Sequence, residues 1–180
     1  MILPLLVTLY FGTIELTRVA DASRRVSLFA RTLADLSGRA DNPTPSTADM
    51  TTITGAATAI LRPIDISNLQ IVINAMGVEN VNGALYGGVC SSWQQNAAAR
   101  ARLTVNGTNG LPDTPSVYRF DGARYILAEV TMTYVPFLGS ALYKSIFGTR
   151  GFVFVRQVPW AQRTATEIVM PGGSTCPTYN

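Results

Sequence analysis

From Ile2 to Leu36 only Pro4 and Gly12 could interrupt a helix. Pro4 is early enough to sit in a first turn, where its missing N–H and its fixed φ cost little. A stretch of this length without a stop signal predicts one rod around which the rest of the chain must be arranged. The rod has two characters. Ile2 to Ile14 is nearly all apolar, with no polar face, and Glu15-Leu16-Thr17-Arg18 follows directly. Beyond it Val19, Ala22, Val26, Phe29, Leu33 and Leu36 recur at steps of three and four, which is one helix face. Arg18, Asp21, Arg24, Arg25, Arg31 and Asp35 fall on the other faces, with Asp21–Arg25 and Arg31–Asp35 spaced for i,i+4 pairs. Such a rod is expected to emerge from lipid or from a bundle and then lie along the domain that follows.

A membrane helix needs about 20 apolar residues, whereas a run of about 10–14 ordinarily belongs to a core helix or a signal peptide. Three readings are therefore open. Ala20-Asp-Ala22 resembles a signal-peptidase site, but no basic residues precede the run, and Glu15 and Arg18 separate it from that site. A soluble core helix matches the length but not the apolarity of Leu3 to Phe11 on every side. A membrane helix whose first residues lie ahead of Met1 accounts for both. In that reading Leu5, Leu6, Leu9 and Phe11 are the packing residues, and Glu15 and Arg18 mark the exit. Glu15 is then either paired, with Arg18 or with a group on a neighbouring subunit, or simply solvated at the interface. The positive-inside rule alone would put the arginine side in the cytoplasm, but the opposite flank needed for the comparison is outside the sequence.

Ser37-Gly38 ends the rod, and Arg39 to Pro45 reads as a linker. Three segments follow: a membrane or stalk helix over 1–37, a linker over 38–49, and an α+β head over 50–180. Ser46-Thr-Ala-Asp49 is a capping-box sequence for a second helix, whose apolar face is Met50, Ile53, Ala57, Ile60 and Leu61 and which stops at Arg62-Pro63. The remainder reads as strands. Leu69 to Ala75 alternates, and Asn82-Gly83 precedes Ala84–Cys90, where two glycines suggest a bulge. Tyr125 to Val135 is the longest strand candidate, ended by Pro136, and Phe152–Val158 is the last. Ala97–Val105 fits helix and strand about equally. Asn106–Pro115 is a loop with a possible sequon at Asn106, and Leu138–Phe147 a short helical turn.

The composition removes several chemistries. There is no histidine, which excludes His-based triads and most catalytic zinc sites. Asp41, Asp49, Asp65, Glu79, Asp113, Asp121, Glu129 and Glu167 are isolated in sequence. Ser140 and Lys144, the sole lysine, do not have S-x-x-K spacing, and no glycine-rich phosphate loop follows a strand. The chain reads as a non-enzyme with no cofactor, no metal and no small-molecule substrate. A net charge of +3 with scattered arginines is no nucleic-acid stripe. Trp93 and Trp160 suit core anchors better than ligand platforms. Cys90 and Cys176 are either two buried thiols or one disulfide, depending on compartment.

The order of these segments resembles a family. Ile2-Leu-Pro-Leu-Leu, Phe11-Gly-Thr-Ile-Glu-Leu-Thr-Arg18, and Arg24-Arg-Val-Ser-Leu with Ala30-Arg-Thr-Leu-Ala-Asp-Leu36 are similar to the N-terminal signature of TadE/TadG-like proteins. These are pilin-like components of the bacterial tight-adherence (Flp pilus) machinery. Ile60-Leu-Arg-Pro63, Ser67–Ile71 and Glu129–Pro136 continue the similarity more weakly. The resemblance implies a pilin-like α+β fold with one inner-membrane helix, its N-terminus inside, and a periplasmic head; in an exported head Cys90 and Cys176 are expected to form one disulfide. It implies assembly with other pilus subunits through the N-terminal helix, as a minor pilin or pseudopilin. The family pattern begins earlier, with a basic stub, a processing region and a glutamate ahead of the apolar run, and this sequence lacks them. An alternative from another class is a membrane-tethered periplasmic module that binds a ligand or cell-wall component. Aromatic surface around Trp93 or Trp160 would favour that binder, and a flat head with an extended apolar helix would favour assembly.

Overall fold

A computed structural model describes residues 2–39, 42–102, 114–136, 144–145, 148, 151–163 and 167–177. The rod forms as one helix, α1 (Ile2–Gly38), about 55 Å long at 1.5 Å per residue. Ser46 caps α2 (Thr47–Thr58): its hydroxyl accepts from the Asp49 N–H, and the Asp49 carboxylate accepts from the Ser46 N–H. The capping box read from sequence is thus formed, and a 3-10 turn over Ala59–Leu61 ends the segment. Four strands make one antiparallel sheet: β1 (Gln70–Val81), β2 (Ala84–Gln95), β3 (Arg124–Tyr134) and β4 (Phe152–Ala161), in spatial order β2-β1-β3-β4. The α+β class with two helices and an antiparallel sheet is as expected.

The helices lie on one face of the sheet. Val26, Phe29, Ala30, Leu33 and Ala34 of α1 share one buried cluster with Ile71, Ile73, Ala75, Ile126, Ala128, Val130 and Met132, and Ala22 is buried as well. These strand residues alternate along β1 and β3, so one face of each strand meets the periodic face of α1. Met50, Ala57 and Leu61 join the cluster from α2, and Ile168 and Met170 from the C-terminal segment. Polar bonds fix the rod's direction. Arg156 of β4 donates to the hydroxyls of Ser23 and Ser27, at 2.8 Å each. Asp35 accepts from the Trp160 indole and pairs with Arg39 and Arg163, rather than with Arg31 as the spacing suggested. The Asp21–Arg25 pair forms at 2.7 Å.

Several sequence expectations shift. β1 runs on to Val81 because the hairpin at Asn82-Gly83, both at positive φ, keeps it paired with β2. The bulge is not at Gly87-Gly88. Ala75 opposes Ser91 and Met76 opposes Val89, which leaves Cys90 as the extra residue. Residues 97–102 are neither helix nor strand: the Arg100 N–H bonds the Ser92 hydroxyl, and its side chain bonds Glu129. The Asn106–Asp113 part of the loop lies outside the described residues, as does most of Leu138–Phe147, of which Lys144 and Ser145 are helical.

Ser46→Ala removes one side of the capping box and lowers stability by about 1 kcal/mol in urea denaturation. Bonds from the Ser46 backbone N–H, then from its hydroxyl, hold the Asp49 carboxyl below its ordinary pKa. A folded-state pKa that is lowered stabilises at pH above the unfolded value and ceases to do so as pH falls through the folded one. The stability difference between wild type and Asp49→Asn is therefore full at neutral pH and shrinks below the ordinary carboxylate range, as a pH series of melts will read.

Candidate functional site

The rod changes surroundings at Ile14. Before it, Leu6, Leu9 and Phe11 are 56%, 58% and 44% exposed, and Ile2, Leu3, Val7 and Tyr10 are exposed as well. These side chains point around the whole circumference, so no single neighbouring face in the head could cover them. Leu5 lies within α1, but its side chain is outside what is described. Burying the exposed part of these large side chains would gain on the order of 5–10 kcal/mol. The bare segment, residues 2–13, is about 18 Å long. Among the described residues, no helix is long and apolar enough to cross a membrane.

Glu15 and Arg18 sit where the head begins. The Glu15 side chain is only 13% exposed, and its carboxylate lies 3.8 Å from the Arg18 guanidinium. It belongs to the docked part of the rod, not to its bare end. Tyr134, at the end of β3, lies beside this pair: burial and then the Glu15 charge push its phenol above the ordinary pKa, and Arg18 opposes them. Here α1 parts from the sheet and leaves a cleft of about 420 Å³ between Arg18 and Asp21 of the rod, the loop around Asp65 and Asn68, and Tyr134.

The disulfide joins Cys90 to Cys176 at the other end of the same sheet face. The bulge brings Cys90 over Gly77 of β1, where a Cβ would stand 2.5 Å from the Cys176 sulfur and 2.9 Å from that of Cys90. Only glycine leaves room there. Arg124 bridges Glu79 and Glu167 beside the bond, and the Cys176 N–H donates to Glu167. Glu167 and the two sulfurs cluster within 4.8 Å, but both sulfurs are consumed in the disulfide and a guanidinium stands next to them, which disfavours a cation. The corner pins the C-terminal segment to β2, where the Met170 N–H also bonds the Ser91 hydroxyl.

The tryptophans form no platform. Trp93 is in the core, and Trp160 packs against it with its indole N–H bonded to Asp35 at 3.0 Å. On the opposite sheet face Glu129 gathers Arg100, Asn74 and Gln157. This is a polar cluster that links strands β1, β3 and β4, and its Asn74 side chain is buried. Glu129 stands isolated in the sequence because its partners lie 28 to 55 residues away. Asp65 likewise stands isolated in the sequence, which gives no sign that Asn68 and Tyr134 share a cleft with it. Compared with protein families, curated proteins and solved structures, the chain matches none.

For cysteines 86 residues apart the chain-entropy model puts the disulfide's contribution at about 4–5 kcal/mol. Cys90→Ser/Cys176→Ser lowers the urea midpoint accordingly, and a reductant then has no further effect. Gly77→Ala, which crowds the bond, costs about 1–3 kcal/mol in the oxidised protein.

Proposed function

We propose that this chain is a non-enzymatic, pilin-like subunit of a tight-adherence pilus system. In this reading the bare end of α1 is held in the inner membrane and among the helices of other subunits, and the head stands in the periplasm or on a fibre. What carries the reading is one continuous helix that is core at one end and apolar on all sides at the other. A helix apolar all round is buried in lipid or protein. The residues that resemble TadE/TadG-like proteins are those of this rod. The burial of Trp93 and the anchoring of Trp160 favour assembly over the aromatic binding module, since neither ring is offered as a platform.

The burial of Glu15 against the head favours placing the membrane boundary ahead of it, close to Thr13 and Ile14. The bare segment's 18 Å or so is then roughly 60% of a hydrocarbon core of about 30 Å. The coding sequence upstream of Met1 is the simplest check of this reading. An in-frame extension with a basic stub supports it.

Fractionation tests the same claim on the protein. Wild-type chain is expected in the membrane fraction and resistant to carbonate extraction. Leu6→Glu/Leu9→Glu/Phe11→Glu shifts it to the soluble fraction with the head still folded, because each charge at membrane depth costs roughly 2.5–3.5 kcal/mol. Recovery of the wild-type chain wholly in the soluble cytoplasm would sink the proposal.

A further inference from the structure

The cleft beside Glu15 has a volume within the roughly 300–1,000 Å³ of small-molecule sites. Its charges are mixed. Arg18 and Asp21 face it from α1, and Asp65 and Asn68 from the loop before β1, while Pro63 and Ile64 add apolar surface. Arg18 meets Glu15 only at 3.8 Å, too long for a hydrogen bond, so its donors are loosely engaged there. Asp65 accepts from the N–H and hydroxyl of Ser67, and Asp21 from Arg25. A carboxylate has about four acceptor sites, so both keep capacity for a ligand. The bonds from Ser67, backbone first, hold the Asp65 carboxyl below its ordinary pKa, so it is ionised at neutral pH. The raised pKa of Tyr134 keeps its phenol a donor.

The height of the cleft on the rod matters as much as its chemistry. Counted from Ile14, Arg18 stands about 6 Å and Asp21 about 10 Å further along the helix. The polar zone on each side of a bilayer is about 5–8 Å thick. With the bare segment in hydrocarbon, Arg18 stands among the headgroups and Asp21 just beyond them, so the membrane-side mouth of the cleft meets the headgroup layer. Val135, which lines the cleft next to Tyr134, is an exposed apolar residue, and Ile66, next to Asp65 in sequence, is exposed as well.

We propose that this cleft binds a phospholipid headgroup carrying both a phosphate and a primary ammonium, of the phosphoethanolamine type. Arg18 and the Tyr134 hydroxyl donate to the phosphate, and Asp21, Asp65 and the Asn68 side-chain oxygen accept the ammonium protons. An anionic headgroup without an ammonium leaves two carboxylates facing its negative charge. A trimethylated ammonium cannot donate to those carboxylates, and the cleft has one aromatic ring rather than a cage. The source is the membrane surface, so the inference rests on the membrane reading of α1.

The test uses the whole protein in vesicles of equal phosphatidylethanolamine, phosphatidylcholine and phosphatidylglycerol, released in mild detergent for native mass spectrometry. Phosphatidylethanolamine is expected to be retained about fivefold over each of the others, a difference of roughly 1 kcal/mol. Asp21→Asn/Asp65→Asn abolishes its preference over phosphatidylcholine, and Arg18→Gln lowers retention of all three. Asp65→Asn alone carries the test if the double variant does not fold. Equal retention by wild type, or a preference for phosphatidylglycerol, overturns the inference. Failure to float with the vesicles counts against the membrane reading instead. Glycerophosphoethanolamine in solution then tests the cleft by itself: saturable amide shifts at Asn68 and Thr133, stronger than with glycerophosphocholine, support it, and their absence overturns it.

Discussion

The packing of α1's periodic face on the sheet governs the rest of the molecule. Val26, Phe29, Ala30 and Leu33 are fully buried against Ile73, Ile126, Ala128 and Val130, so half of the rod is an inseparable part of the head's core. Because the rod is one unbroken helix, docking that half also sets the direction of the other. The apolar end projects from the head with no hinge between them. Exposing it to water would forgo on the order of 5–10 kcal/mol, comparable to the net stability of a whole domain. That imbalance, more than any single residue, is what the proposed burial of the apolar end would relieve.

The polar contacts serve that arrangement. Arg156 reaches the hydroxyls of Ser23 and Ser27, and Asp35 collects Trp160, Arg39 and Arg163, so the rod cannot rotate about its axis without breaking charged bonds. At the far corner the disulfide holds the C-terminal segment, whose Ile168 and Met170 complete the core. At the near end Glu15 closes against Tyr134 and Arg18, and there the covered part of the rod gives way to the bare part. The boundary between the buried and the exposed part of the rod is thus marked by one carboxylate. The mixed-charge cleft opens beside that boundary.

The legible parts of the fold were those with local causes. The step of three and four from Val19 to Leu36 foretold which face of α1 is buried. Ser46 and Asp49 foretold the start of α2, and the alternation from Tyr125 foretold β3. Each depends on residues within one turn or one strand, where backbone period and side-chain reach are set by geometry alone. Arg31 and Asp35 illustrate the limit: the spacing allowed a pair, but Asp35 has stronger partners in Arg39, Arg163 and Trp160, and Arg163 and Trp160 come from the far end of the chain. The bulge is a second case. Gly87-Gly88 looked like its place, yet the extra residue is Cys90, because the bond to Cys176 over Gly77 needs the register to shift there.

By itself the sequence determined the rod, its two characters and the capping box, since propensity and periodicity act over a few residues. Only the tertiary structure decided that Glu15 lies against the head rather than along the bare helix. It also decided that Cys90 and Cys176 are one bond and that Arg18, Asp21, Asp65 and Tyr134 surround one cleft. Those groups are separated by up to 116 residues of chain, from Arg18 to Tyr134, and nothing short of closing the sheet over α1 brings them together.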